Sequence, residues 1–431
     1  MATDLPTTTG DANPAYPACV EHGEWTSIPV DPPSGSHRLA LKDIDPDESH
    51  AVKQRGVLSF HAVGCSGDFK DHLPGLQVAK AMAAQISNPR VSGGSSRAVG
   101  TSFLFHLGDV VYKDEDPSDP AGKDQAAMYN SQFYAQFTSY DRNILAISGN
   151  HDGKSSDHSK KSAILHFLQN FCGSKREVSP DNQTDRRLTT TQPYPYWLFE
   201  TSVAYVVGLY TNDINGGQLD DPMSTDNPQY QWLVKTLKGI KDDGKVIFLA
   251  LHYPPYSGAA NFAERGDPNL GPTPRRAPPA GVLQPLSNIL QQAFHESAQY
   301  PDVVISAHAH LYQRITYTYA NGWQIPYLIA GSGGHAPVEK LSKTCAGDTA
   351  TLPNLPFDVV LPFGSALPKG DSAKVVAYND QEFGFLRLTV DINEKVVIGE
   401  FFAAYDQSNQ SAALPVLRDS FTLHLQKHTI D

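Results

Sequence analysis

The chain has 431 residues, a formal net charge of −12, 40% hydrophobic residues and 19% charged residues. These proportions are typical of a globular protein that can build its own core. The negative charge excludes a general nucleic-acid or anionic-membrane surface, so an anionic ligand would need positive charge supplied locally, for which metal ions are the natural source. The four cysteines form no Cys-x-x-Cys pair and have no framework spacing, which predicts free thiols in a reducing compartment.

The N-terminal region, residues 1–50, is rich in Pro, Asp, Thr and Gly and lacks hydrophobic periodicity. It predicts an irregular arm, followed by one large domain over 51–431. The first residues show neither the basic region nor the apolar core of a signal peptide, and no run reaches membrane-spanning length. The sequence therefore predicts a cytoplasmic protein without a membrane partner, unless a leader has been removed.

Apolar runs that predict strands alternate with periodic segments that predict helices. In chain order, the sequence predicts a strand over 57–63, a helix over 76–86, a strand over 102–107, a helix over 124–136, a strand over 143–148, a helix over about 159–171, strands over 197–200 and 203–210, a helix over 229–237 capped by Asp226, strands over 246–251 and 303–307, and strands over 384–390 and 396–402. The strand pairs 197–200/203–210 and 384–390/396–402 predict β-hairpins. The early alternation of strands and helices, with antiparallel strands late in the chain, fits two packed sheets flanked by helices.

Four of these strands end in polar side chains that can bind a metal ion. The side chains are Asp109 and Tyr112 after 102–107, Asn150 and His151 after 143–148, His252 after 246–251, and His308 and His310 after 303–307. Ligands of open α/β sheets bind beyond the carboxyl ends of the strands, and oxygen and nitrogen donors suit a hard or borderline metal ion. Each motif alone is an ordinary turn, but the four together indicate a metal site. The two histidines inside strands, His61 and His106, are interpreted as core residues.

This set of motifs resembles that of the calcineurin-like metallophosphoesterases, over roughly residues 56–405. Tyr112, in Gly108-Asp109-Val110-Val111-Tyr112, resembles the purple acid phosphatase branch. The last motif reads Ala307-His308-Ala309-His310, with alanine where the family has glycine. The resemblance implies an α/β fold, a four-layer α/β/β/α sandwich of two mixed sheets flanked by helices. It also implies a dinuclear metal site at the C-terminal strand ends, holding two divalent or trivalent ions, iron with zinc, iron or manganese.

The resemblance also implies the role of each ligand. Asp109 would bridge the two ions; the first would take Asp109, Tyr112, His310 and a residue after the first strand, and the second would take Asp109, Asn150, His252 and His308. His151 would stabilise charge or protonate the leaving group as a general acid. Asp152 would orient His151 or the turn.

The residue after the first strand departs from the family, whose strand ends in Gly-Asp. The chain reads Gly64-Cys65-Ser66-Gly67-Asp68. Alignment on the strand makes Cys65 the ligand, and a thiolate would favour zinc or iron. Three alternatives stay open: Asp68 reaches back to the metal, the enzyme works with one metal, or Cys65 is a buried small residue.

The predicted function is hydrolysis of a small-molecule phosphate ester by a metal-bound hydroxide that attacks phosphorus. The alternatives are a specialised enzyme that uses the cysteine-containing site for different chemistry, and a catalytically dead phosphate-binding protein. Two long segments, 254–281 and 331–371, are predicted loops beside the site. Their candidate substrate-binding residues are Arg265, Arg275, Arg276 and His335. Monoester and diester substrates, and the oligomeric state, stay open.

Overall fold

Sixteen β-strands and seven α-helices form the described part of the computed structural model, which covers residues 36–91, 93–112, 125–152, 164–173, 175–211, 227–240, 243–258, 286–341, 352, 354–361, 366–406, 408 and 411–431. The strands are β1 (Arg38–Ala40), β2 (Val57–Val63), β3 (Phe103–His106), β4 (Asn143–Ala146), β5 (Trp197–Glu200), β6 (Ala204–Gly208), β7 (Val246–Ala250), β8 (Val303–Ser306), β9 (Tyr312–Thr318), β10 (Gln324–Ala330), β11 (Phe357–Asp358), β12 (Ser372–Asn379), β13 (Glu382–Asp391), β14 (Val396–Asp406), β15 (Ser411–His424) and β16 (Thr429–Ile430). The helices are α1 (Leu41–Ile44), α2 (Pro46–Arg55), α3 (Leu73–Ser87), α4 (Gln125–Tyr129), α5 (Leu165–Phe171), α6 (Pro228–Gly239) and α7 (Leu286–Ser297), and a π-helix, Asn130–Tyr134, follows α4.

The strands form two mixed sheets. One has nine strands in the order β1-β5-β6-β7-β8-β10-β9-β12-β11, and the other has seven in the order β16-β15-β14-β13-β2-β3-β4. In the seven-stranded sheet β2, β3 and β4 are parallel neighbours, and in the nine-stranded sheet β7 and β8 are parallel neighbours. The four strands that end in the polar motifs, and β2 before Cys65, therefore lie beside a parallel partner, which brings their carboxyl ends together.

Aromatic side chains fill the space between the two sheets. Phe60 on β2 contacts Phe248 on β7 with ring centroids 5.1 Å apart, and Phe103 on β3 contacts Phe199 on β5 at 5.2 Å. Both pairs meet edge to face, an arrangement that contributes about 1 kcal/mol beyond the burial of area. This core holds the sheets at a fixed separation, so the strand ends of one sheet lie opposite those of the other.

Helices cover the outer faces of the sheets. Helix α3 packs on β13, β14 and β15, while α6 and α7 pack against each other. Leu233 of α6 and Leu290 of α7 are buried in the same apolar cluster as Leu249, which points outward from the nine-stranded sheet. The arrangement is the predicted α/β/β/α sandwich. Among the described residues, none of the helices has both the length and the apolar character that a bilayer crossing requires.

Several predicted elements differ from the structure at their ends. Residues 38–50 form β1, α1 and the first half of α2, and Leu39, Leu41 and Ile44 are buried in the intersheet core. Residues 1–35 lie outside the described residues. The helix predicted over 76–86 begins earlier, at Leu73. Helix α6 is capped by Asn227, whose side chain accepts from the Tyr230 amide (3.0 Å), whereas Asp226 lies outside the described residues.

Candidate metal centre

Two glycines allow the ends of β3 and β4 to touch. Gly108 has φ +90°, and a Cβ on it would lie 2.6 Å from the Gly149 nitrogen and 2.7 Å from His252 Nδ1. A Cβ on Gly149 would overlap with Asp109 Oδ1 and lie 2.8 Å from His252 Cε1. Any larger residue at either position would push the two strand ends and β7 apart. The glycines therefore set the close spacing of the polar side chains that follow them.

Three of the polar residues adopt the left-handed backbone conformation. Cys65 has φ 55°, Asp109 φ 53° and His308 φ 66°. Each non-glycine residue held there costs roughly 1–3 kcal/mol, and such strain is concentrated at functional sites. These three residues follow β2 and β3 of the seven-stranded sheet and β8 of the nine-stranded sheet, so the site combines strained backbone from both sheets.

The Asp109 carboxylate lies at the centre of this edge. Its Oδ2 accepts from the Tyr112 hydroxyl (3.0 Å) and lies 3.2 Å from His252 Nε2. Its Oδ1 accepts from the His151 backbone N–H (2.8 Å). Burial alone would raise the pKa of Asp109, but His252 and His151 lower it well below its ordinary value, so the group stays a carboxylate.

Ligand-type atoms converge in two groups that share Asp109. The first contains Cys65, Asp109 and His310, and the second contains Asp109, His252 and His308, with the ligand atoms of each group within 4.8 Å of one another. The Tyr112 oxygen lies 3.1 Å from His310 Nε2, which adds it to the first group. Asn150 Oδ1 lies 3.1 Å from both His252 Nε2 and His308 Nδ1, which adds it to the second.

The protonation of these histidines fits a cation site. His252 Nδ1 lies 2.7 Å from the Leu107 carbonyl oxygen and donates to it, which leaves Nε2 to face the ligand group. Burial opposes, but Asp109 raises, the pKa of His252, so a cation bound at Nε2 would compete with a proton. His308 Nε2 is buried without a hydrogen-bond partner among the described residues. Burial lowers the pKa of His310 to about 4 and that of His308 well below its ordinary value, so both imidazoles are neutral lone-pair donors. Such converging acceptors fit one metal ion in each group.

Cys65 and Asp68 occupy different environments. The Cys65 sulfur is buried and lies 4.0 Å from Asp109 Oδ2, within the first group. Burial and the charge of Asp109 raise the pKa of this thiol, so it would need a bound cation to become a thiolate. The Asp68 carboxylate instead accepts from the backbone N–H groups of Lys70 (2.7 Å) and Ala336 (2.9 Å), and it belongs to neither group.

The remaining predicted site residues surround these groups. The His151 ring lies 4.3 Å from the Tyr112 ring. Asp152 accepts from the backbone N–H groups of Val110 and Gly149 (both 2.8 Å), so its carboxylate joins the turns after β3 and β4. His335 stacks on the Tyr112 ring at 3.7 Å. The arginines 265, 275 and 276 lie outside the described residues.

One neighbour of the site carries no sequence signal. The Glu339 carboxylate accepts from the His310 backbone N–H (3.2 Å), and the Glu339 N–H donates to the His310 carbonyl (3.0 Å). These reciprocal bonds hold the backbone of a candidate ligand. The residue follows the glycine-rich segment after β10, where no motif marks it.

The solved structures that the chain is similar to have low sequence identity to it. They include the GAP50 anchor of the inner membrane complex of Plasmodium (14% identity, 84% of this chain and 90% of that chain, TM-score 0.45), PhoD (12%, 87% and 71%, 0.48) and a dimetal phosphatase from Danio rerio (9%, 85% and 99%, 0.41). No curated protein sequence gives a match. The family model described as calcineurin-like phosphoesterase matches residues 61–312, which include every strand end described above. Because this match spans more than half of the chain and contains both ligand groups, the chain belongs to the calcineurin-like phosphoesterase family.

Proposed function

We propose that the chain hydrolyses small-molecule phosphate esters at a dinuclear metal centre in which Asp109 binds both ions. The observation that carries the proposal is that this carboxylate belongs to both groups of converging ligand atoms. A shared carboxylate suits two ions about 3.5–4 Å apart, the spacing of two-metal hydrolytic sites. Membership of a family of metal-dependent phosphoesterases supports the same reaction class.

The first ion would be held by Cys65, Asp109, Tyr112 and His310, and the second by Asp109, Asn150, His252 and His308. Support for these sets comes from the short distances within each group and from the neutral state of His308 and His310. A thiolate and a phenolate favour zinc or iron over magnesium at the first position. We therefore propose iron with zinc, iron or manganese, as in purple acid phosphatases.

When bound, the ions would neutralise phosphate charge and lower the pKa of the attacking water. The chain itself supplies the geometry. Asp152 holds the turns after β3 and β4 through backbone hydrogen bonds, and these turns carry Asp109 and Asn150. His151, whose backbone is fixed by Asp109, is the residue we assign to protonate the leaving alkoxide or to stabilise its charge.

A second candidate function is a specialised reaction on the same scaffold. It is favoured by Cys65, because a thiolate is a softer ligand than a carboxylate and selects zinc or iron over magnesium or manganese. A catalytically dead binding protein is the third candidate, and it is disfavoured because ligand-type atoms converge in both groups.

The test is metal analysis together with hydrolysis of nitrophenyl phosphate and bis-nitrophenyl phosphate. Asp109→Asn should lose bound metal and lower the hydrolysis rate by about 10²-fold or more. Loss of a residue that only hydrogen-bonds to a metal ligand already costs about 10–100-fold, and loss of the ligand itself should cost at least as much. Asp302→Asn is the matched control, because Asp302 pairs with His428 (2.8 Å) at the opposite end of β8. An Asp109→Asn protein with unchanged metal content and rate would refute the two-metal assignment.

A further inference from the structure

The loop after β2 and the loop after β10 lie side by side. The Gly64 N–H donates to the Ala330 carbonyl (2.9 Å), the Gly333 N–H donates to the Gly64 carbonyl (3.1 Å), and the His335 N–H donates to the Cys65 carbonyl (2.9 Å). One loop comes from each sheet, so these bonds join the two sheets beside the first ligand group. They also fix the backbone of His335 relative to that of Cys65.

Two glycines make this contact possible. A Cβ on Gly333 would overlap with the Gly64 carbonyl oxygen, and one on Gly334 would overlap with the Ser66 carbonyl oxygen. The two loops can therefore pack backbone against backbone, and His335 directly follows this contact.

The side chain of Asp68 also connects these two loops. Its Oδ2 accepts from the Ala336 N–H (2.9 Å) and lies 3.2 Å from His335 Nδ1, while its Oδ1 accepts from the N–H groups of Lys70 (2.7 Å) and Asp71 (2.9 Å). The carboxylate is thus held by three backbone donors. Its Oδ2 lies beside Nδ1 of the imidazole, which is also within hydrogen-bond distance of the Gly67 carbonyl oxygen (3.3 Å), so the two acceptors together favour a proton on Nδ1 and restrict the plane of the ring.

The His335 ring lies against the candidate ligands of the first ion. It stacks on the Tyr112 phenol with centroids 3.7 Å apart and planes 12° apart, and it meets the His310 ring edge to face at 4.7 Å. The Tyr112 oxygen is within 3.1 Å of both Asp109 and His310. A tyrosine ring can swing about two side-chain torsions, and the stacked imidazole restricts that motion.

We propose that Asp68 and His335 are a positioning pair that fixes the Tyr112 phenol oxygen at the first metal. The inference rests on the proposed function, because it assumes that Tyr112 is a metal ligand. Asp68, in the Gly67-Asp68 pair, lies three residues beyond Cys65. In this proposal Asp68 acts on the ion through His335 and Tyr112 and does not contact it.

The test uses the full chain reconstituted with iron and zinc, in the variants Asp68→Asn, His335→Ala and His335→Phe. Two quantities are measured: the dissociation constant of the first-site metal by chelator competition, and the visible band that a phenolate gives on ferric iron. Loss of an outer partner typically weakens metal binding by about 10–100-fold. Asp68→Asn and His335→Ala should each raise the dissociation constant of the first-site metal by about tenfold and shift the visible band. The metal at the second site should stay bound.

His335→Phe keeps an aromatic face but loses the Nδ1 contact with Asp68, so its band should lie between those of the unchanged protein and His335→Ala. It also keeps the test decisive if His335→Ala fails to fold. His166→Ala is the matched control, because His166 is paired with Asp181 (2.8 Å) and belongs to neither ligand group. The control should leave both the band and the first-site affinity unchanged.

The two possible failures give different results. If Tyr112→Phe removes the band but Asp68→Asn, His335→Ala and His335→Phe leave both measurements unchanged, the positioning pair is refuted and the proposed function stands. If the unchanged protein takes up no metal at the first group, or its band survives Tyr112→Phe, the ligand set itself is wrong and the positioning role is refuted with it.

Discussion

Cys65 follows the first parallel strand, β2, and its sulfur lies 4.0 Å from Asp109 Oδ2 within the first ligand group. Cys65→Ala should therefore lose one metal ion even at saturating metal, while Cys65→Asp should keep both, because a carboxylate restores an anionic donor. Asp68→Ala should keep both ions at saturation, although it binds the first more weakly. Metal content by elemental analysis checks the three variants. The reverse result, two ions in Cys65→Ala and one in Asp68→Ala, would make Asp68 the ligand.

His151 is placed beside Tyr112, and its backbone N–H donates to Asp109. If its imidazole protonates the leaving group, the protonation matters most when that group is a poor one. His151→Ala should slow hydrolysis of alkyl phosphates by about 10²–10⁴-fold and slow that of nitrophenyl phosphate much less. Steady-state kinetics with both esters check this, and equal losses on the two would assign His151 to positioning or charge stabilisation instead.

Most of the candidate ligands were predicted from their place after apolar strands, as for Asp109, Asn150 and His252. The sequence did not predict the partners of Asp68, since they depend on two loops that are about 270 residues apart in the chain and meet only in the folded protein. It left Cys65 and Asp68 as alternatives for the same reason. Spacing along one loop does not show which side chain the second loop engages.

At the scale of elements, the contact between the turns after β3 and β4 is the most constrained part of the site. Gly149→Ala should destabilise the fold by about 1–3 kcal/mol and lower activity, because the new methyl group overlaps with Asp109 Oδ1. Gly239→Ala is the control: no atom lies within 4 Å of a Cβ there, at the end of α6, so this variant should be neutral or slightly more stable. Urea unfolding and phosphatase assays measure both. Equal stability of the two variants would contradict the close packing of the turns.

Most of the strands were predicted from short apolar runs, and β2 and β5 have the predicted bounds. The helix predicted over 124–136 was wrong in its regularity, because α4 continues into a π-helix at Asn130–Tyr134. Within the π-helix, Gln132 accepts from the Tyr112 N–H and donates to the Tyr112 carbonyl, both at 2.8 Å. Such irregular turns occur frequently at functional sites. Hydrophobic periodicity cannot predict this distortion, because its contact is with the Tyr112 backbone, 20 residues earlier in the chain.

At the scale of the whole molecule, buried neutral histidines make the fold sensitive to acid. His61 is buried in β2, where it lies within hydrogen-bond distance of Tyr140 and Gln85, and burial, with a smaller effect of Arg387, lowers its pKa from 6.5 to about 3. The unfolded chain binds this proton below pH 6.5 and the folded chain does not until about pH 3, so stability falls as the pH drops through that window.

The His61→Gln variant should therefore lose stability less steeply than the unchanged protein between pH 6.5 and 3, by up to about 1.4 kcal/mol per pH unit. It should also be less stable at pH 7, because the buried partners of the imidazole are rearranged. Urea unfolding at several pH values measures the slope. Parallel curves for the two proteins would show that His61 is not the group responsible.

Each ligand group takes side chains from both sheets: Cys65 and Asp109 follow strands of the seven-stranded sheet, and His252, His308 and His310 follow strands of the nine-stranded sheet. A bound ion would therefore crosslink the two halves of the sandwich at one edge. By mass action, an ion present at 100 times its dissociation constant would add about 2.7 kcal/mol to the free energy of unfolding. The melting temperature should then rise with free metal concentration and fall on chelation, and the edge that carries the ligands should exchange its amide hydrogens first in the metal-free protein.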